Sequence, residues 1–197
     1  HLAALFVSVL DNCNPSKFVR FYVIDDDIDF ESKQLLRFSV KNARMNSDVE
    51  FLKINKEFFT NVVISDRIPE TAYYRIAIPE LFRGTEVERI LYMDCDMIAL
   101  QDISKLWRLD FGDSIVAAVE DAGFHQRLEK MKISAKSMRY FNSGLMLINV
   151  KKWLDENITQ KVLDFIEHNP EKLRFHDQDA LNAILHDRWL PLHPRWN

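Results

Sequence analysis

The sequence predicts an α/β domain with a mostly parallel central sheet flanked by helices. Runs rich in β-branched and aromatic residues alternate with helix-periodic segments, the pattern of strands joined by helical crossovers. A hydrophobic content of 47%, with 14 Phe and 4 Trp, supplies a sizeable core. Only 4 Gly and 6 Pro occur in 197 residues, so no flexible linker divides the chain and one domain is expected over 1–197.

Leu2, Leu5, Phe6, Val9 and Leu10 recur at i, i+3, i+4, i+7, i+8, the stripe of a helix against a core. His1 stands where a start methionine would, and the run lacks the cationic leader of a signal peptide. The chain is therefore expected to begin inside a domain, already on its first helix. Phe18 to Ile24 form a β-rich run stopped by acidic residues, "ESKQLLRFSVKNA" is helical, and "DVEFLKI" alternates like a second strand. "TAYYRIAIPELF" reads as a helix with Pro79 near its end. "RILYM", "SIVAAVED" and "YFNSGLMLINV" read as strands, and a helix covers "KKWLDENITQKVLDFIEHN". "DQDALNAILHD" starts a last helix with Asp177 as its cap, and "RWLPL" closes the pattern.

With 26 basic and 30 acidic residues the formal charge is -4, and no long basic run appears. That excludes a general nucleic-acid binder, which needs a basic face for the phosphates. No apolar run is long enough to span a bilayer. Cys13 and Cys95 give neither a disulfide framework nor a zinc spacing and read as reduced residues of a cytoplasmic protein. The loop "DDDID" places Asp25, Asp27 and Asp29 at the first three positions of a calcium loop. Phe30 then stands where glycine is required and Leu36 where glutamate is required, so the loop reads as solvated. Neither a GxGxxG nor a phosphate-binding P-loop occurs, nor an HExxH.

The informative interruption is "RILYMDCDMIAL", where Asp94 and Asp96 break an apolar run with only Cys95 between them. An ionised Asp is rarely buried unless it is paired or bound to a cation. Two carboxylates one residue apart at a strand's end reach one hard divalent cation, Mn²⁺ or Mg²⁺, whose other ligands typically come from water and phosphates. A bare DxD is common and by itself fits an ordinary acidic turn equally well. Company raises its weight: "YFNSGLMLIN" and "HDQDALN" place polar groups at the margins of other core elements.

Taken in order, "TAYYRIAIPELF", "RILYMDCDMIALQDISKLW", "AAVED", "YFNSGLMLINVKKW" and "DQDALN" resemble glycosyltransferase family 8. These are retaining enzymes with the GT-A nucleotide-sugar fold, and the likeness is greatest to bacterial lipopolysaccharide and capsule galactosyl- or glucosyltransferases. The resemblance implies that Asp94 and Asp96 bind the metal that holds the diphosphate of a UDP-sugar, with Cys95 lying against the ribose. It implies donor contacts from Arg75, Asp121, Asn142 and Ser143, and places Ile68 near the uracil or ribose. Asp177 would grip sugar hydroxyls, and Gln178 would lie beneath the anomeric carbon. It also implies that the family's opening strand and a late His-x-x-Gly-x-x-Lys-Pro-Trp segment, which supplies the third metal ligand, fall outside 1–197.

The expected reaction is retaining transfer of galactose or glucose from a UDP-sugar to a glycan or lipid-linked saccharide, at the inner face of the membrane. Peripheral membrane contact would be made by a segment outside 1–197. Gln178 is a poor nucleophile, so front-face attack is the expected route, with Asp177 or Asp179 as a covalent nucleophile in reserve. Two rivals remain at this point. A phosphatase of the haloacid dehalogenase type also uses DxD, but on its first strand and with a different following residue. A degenerate sugar-binding protein is the non-enzymatic rival.

Overall fold

In the computed structural model, which describes residues 1–60 and 70–197, the first apolar stripe forms helix α1 (Leu2–Asn12) and buries Leu5, Phe6, Val9 and Leu10. Strand β1 (Val19–Ile24), helix α2 (Phe30–Ala43) and strand β2 (Ser47–Leu52) follow. β1 and β2 pair in parallel, Val19 opposite Ser47 through Ile24 opposite Leu52, with α2 as the crossover. Their inward residues Phe21, Val23 and Val49 meet the α1 stripe in one core, where the Phe6 and Phe21 rings stack at 4.0 Å. The acidic loop is more structured than its composition suggests. Asp29 caps α2 by accepting from the Ser32 amide at 2.8 Å, and Asp25 pairs with Lys33 at 2.6 Å. The lysine's hydrogen bond holds the Asp25 carboxyl below the usual carboxylate range. Arg44 turns back to the end of α1 and donates to the carbonyls of Leu10 and Cys13 there, groups that have no partner inside the helix.

The described residues form two units, one of His1–Ile54 with Met93–Asp110 and one of Asn55–Tyr92 with Phe111–Asn197. In the first, the returning segment is pinned to α1: Asn12 donates to the Ala99 carbonyl at 3.0 Å, and the Ala99 amide donates to Ser8 Oγ at 2.9 Å.

The second unit is built on a four-stranded sheet in the order β3-β5-β4-β6, formed by β3 (Arg89–Met93), β4 (Val116–Glu120), β5 (Phe141–Asn149) and β6 (Trp189–Leu192). The division between units falls inside β3, after Tyr92. The predicted α/β class holds, with parallel pairing in β1–β2 and β4–β6, while β5 runs antiparallel to β4. A full crossover helix is needed to return a strand in parallel. The link from β4 to β5 carries only a short 3₁₀ turn and the one-turn helix α4 (Arg127–Lys130), so β5 comes back reversed.

Two predicted helices are interrupted. Residues 70–82 remain helical, but as a 3₁₀ turn, the single-turn α3 (Tyr74–Ala77) and a second 3₁₀ turn over Ile78–Phe82. Pro79 lacks an amide donor and crowds the carbonyl four residues back, which rules out a regular α-helix there. Residues 150–168 form α5 (Val150–Asp155) and α6 (Ile158–His168), separated by Asn157 in the left-handed region at φ 52°. Asparagine tolerates that conformation better than most residues. Across the break, the fully buried Trp153 donates to Thr159 Oγ1 at 2.9 Å, and Thr159 donates to the Ile76 carbonyl at 3.1 Å. Helix α7 (His176–Leu185) completes this unit.

Candidate active site

Within the second unit, four chain segments bring the predicted donor-site residues together. Arg75 comes from α3, Asp121 from the residue after β4, Asn142 and Ser143 from the start of β5, and Asp177 and Gln178 from the first turn of α7. Arg75 Nη1 donates to the Ser143 carbonyl at 3.1 Å and lies 3.3 Å from its hydroxyl. Its Nε sits 3.1 Å from Asp177 Oδ2 but is not aligned as a hydrogen-bond donor, so the contact is an ion pair by charge. The guanidinium also lies 4.9 Å from the centre of the Tyr92 ring.

Gln178 is held at both ends of its amide. Oε1 accepts from the Ser143 amide at 3.0 Å, and Nε2 donates to Asp121 Oδ2 at 3.2 Å. Asn142 Nδ2 reaches the same Asp121 oxygen at 3.4 Å. Two half-buried carboxylates, one guanidinium and two amides thus share one side of the unit. That is a donor and acceptor set suited to the hydroxyls of a sugar ring.

Three expectations need correction or placing. Asp177 does not cap α7: the cap residue is Phe175, without a side-chain cap, and Asp177 turns to Arg75 instead. Asp179, expected among the catalytic carboxylates, is 0% exposed. Arg127 grips it through Nε at 2.9 Å and Nη2 at 2.6 Å, and the Tyr140 hydroxyl donates to it at 2.9 Å. The Arg174 and Phe175 amides add bonds at 2.7 and 2.8 Å. Burial alone raises such a carboxyl, but these donors outweigh it and hold Asp179 below the usual range. A carboxylate so enclosed cannot attack an anomeric carbon. Ile68, expected near the uracil or ribose, lies outside the described residues.

The sequence reading missed Arg127, Tyr140 and Asn182. Asn182 is buried in α7 and treats Phe141 as a neighbouring strand would: its Oδ1 accepts from the Phe141 amide at 2.7 Å and its Nδ2 donates to the Phe141 carbonyl at 2.8 Å. It was visible inside "HDQDALN", though its role was not. Arg127 opens the one-turn helix α4, too short for a periodic pattern to announce it.

In the first unit, Asp94, Cys95 and Asp96 follow β3 on a turn that the Met97 amide closes on the Asp94 carbonyl at 3.4 Å. Asp94 is half-buried, and Cys95 and Asp96 are exposed. Oxygen-only donors of this kind fit a hard divalent cation. Among the described residues no group of three His, Cys, Asp or Glu side chains gathers around a metal position, so this turn offers two protein ligands. In the second unit, His186 Nδ1 lies 2.9 Å from the Ala183 carbonyl and its Nε2 lies 3.5 Å from Asp187. Among the described residues no helix is long and apolar enough to cross a membrane.

Comparison with known proteins gives a consistent pattern. The profile of "Glycosyl transferase family 8" matches residues 1–197. "General stress protein A" of Bacillus subtilis (strain 168) is 45% identical over 199 residues, covering 100% of this chain and 68% of that protein. "Lipopolysaccharide 1,2-glucosyltransferase" of Escherichia coli is 29% identical over 195 residues, and the chain spans only 56% of its length. The solved structure of galactosyltransferase LgtC in complex with donor and acceptor sugar analogs matches with a TM-score of 0.84 at 25% identity, over 98% of this chain and 70% of that one.

Proposed function

The chain belongs to glycosyl transferase family 8, as a hexosyltransferase of GT-A fold, and on that premise we propose that it transfers galactose or glucose from a UDP-sugar to a hydroxyl of a glycan or lipid-linked saccharide, with retention at the anomeric carbon. The observation that carries this reading is the convergence of Arg75, Asp121, Asn142, Ser143, Asp177 and Gln178. We read 1–197 as one catalytic domain working at the cytoplasmic face of the membrane. The membrane contact itself is assigned to a segment outside these residues.

Each side chain has a task that follows from its partners. Asp121 and Asp177 accept hydrogen bonds from donor hydroxyls, and Arg75, held by Ser143 and Asp177, presents a fixed positive charge to the donor. Gln178 is oriented by Ser143 and Asp121 to support the anomeric centre. Asp94 and Asp96 would hold Mn²⁺ or Mg²⁺, which when bound offsets the charge that develops on the departing UDP. Cys95 is assigned to the ribose. With Asp179 enclosed and Asp177 committed to Arg75, the front-face route needs no protein nucleophile and is preferred.

The decisive experiment incubates the full-length protein with Mn²⁺ and a panel of UDP-sugars and reads UDP release. Release of UDP from one hexose donor is the expected result, and release of inorganic phosphate instead would point to a phosphatase. Asp96→Asn should abolish Mn²⁺-dependent UDP binding with the fold intact. Equal UDP binding in the presence of a chelator would overturn the metal assignment.

A further inference from the structure

Asp179 spends a buried charge without touching the residues that line the site, and its five donors come from three places. One is α4, through Arg127. Another is the residue before β5, through Tyr140, whose own carbonyl accepts the Asp121 amide at 2.8 Å. The third is the approach to α7, through the amides of Arg174 and Phe175. The next residue, His176, takes a left-handed φ of 42°, a conformation that non-glycine residues seldom hold without support. Arg127 also donates to the Lys172 carbonyl at 2.5 Å, fastening the same approach from behind. Every donor-site segment of the second unit except that of Arg75 is therefore anchored within a few residues of this one carboxylate.

We propose that the Arg127–Asp179 pair is a positioning device, which fixes the turn before α7 and the start of β5 so that Gln178 meets Ser143 and Asp121. The proposal rests on the transferase reading for its consequence in catalysis, but its geometry is independent of that reading. Asp179 and Arg127 act through Gln178 and never contact the sugar. A buried pair of this kind does not need to add stability to be retained, since its desolvation offsets much of its attraction. What it adds is one fixed arrangement of three segments.

The Ser143 amide reports directly on this arrangement, because it donates to Gln178 Oε1 at 3.0 Å. Hydrogen exchange of that amide is measured in the full-length protein for Arg127→Lys, which keeps the charge but loses the two-pronged grip, and for Tyr140→Phe, which removes one donor. A core truncation in α6, Val162→Ala or Ile166→Ala, matched for denaturation midpoint, serves as the control for general loosening. Exchange at Ser143 should rise about tenfold more in the two site variants than in the control, the scale of one charge-assisted hydrogen bond. In turnover, kcat should fall by on the order of a hundredfold in Arg127→Lys with the donor KM little changed, as for a displacement of the reacting geometry. An equal rise in the matched control would overturn the proposal, leaving the pair a structural element only. A wild-type protein that turns over no UDP-sugar would remove the transferase reading, while the exchange comparison would still decide the positioning role.

Discussion

Three adjacent residues, Asp177, Gln178 and Asp179, point about 100° apart around one helix and receive three different fates. Asp177 is ion-paired at the site, Gln178 bridges Ser143 and Asp121, and Asp179 is enclosed behind them. The motif was legible in the sequence, but the fates were not. Residue type shows that a carboxylate is present, whereas burial depends on which side of α7 meets Arg127 and Tyr140, both distant in the chain. Gln178→Ala tests the assignment of the middle residue. It should lower kcat by on the order of a hundredfold while leaving UDP-sugar affinity nearly unchanged, because the lost interaction belongs to the transition state. Loss of donor affinity with kcat preserved would move Gln178 from support of the anomeric centre to donor binding.

Regular elements with a clear period were legible: α1 from its stripe, and β1, β3, β4 and β5 from their β-rich runs. The interrupted ones were not. Asn157 looks like any polar residue on a helix surface, and only its left-handed backbone separates α5 from α6. The tie between α7 and β5 was hidden for a similar reason, since Asn182 sits at an apolar helical spacing and supplies a strand-like edge from a side chain. Replacing it with Leu leaves the Phe141 amide and carbonyl buried without those partners. Asn182→Leu should therefore destabilise the protein by roughly 2–4 kcal/mol in urea unfolding. A loss below about 1 kcal/mol would mean that the start of β5 is held by its sheet neighbours alone.

For the molecule as a whole, ionisation sets the limits of stability. Asp179 has a folded-state pKa below its unfolded value, so its contribution is complete above about pH 4 and is lost as pH falls through the depressed folded value. Tyr140 and Tyr73 are shifted the other way, both first by burial and then by the charges of Asp179 and Asp177 respectively. Their contribution is complete below about pH 10 and is lost as pH rises through the raised folded values. Thermal midpoints should form a plateau between these limits. Tyr140→Phe should flatten the alkaline fall and Asp179→Asn the acid one; unchanged limbs in both variants would assign the limits to other groups. The sequence reading placed 1–197 in one domain on the absence of linkers. It did not show the two-unit arrangement, because the return of Met93–Asp110 to the first unit is a matter of topology that composition does not record.

That return has a consequence during synthesis. The stretch from α1 to β2 leaves the ribosome as a complete βαβ pattern, yet Ala99, a member of its buried core, is translated only later. At roughly 5–20 residues per second, the segment ending at Leu52 waits several seconds for the residue that completes its core, and Leu5, Phe6, Val9 and Phe21 lack that neighbour for the length of the delay.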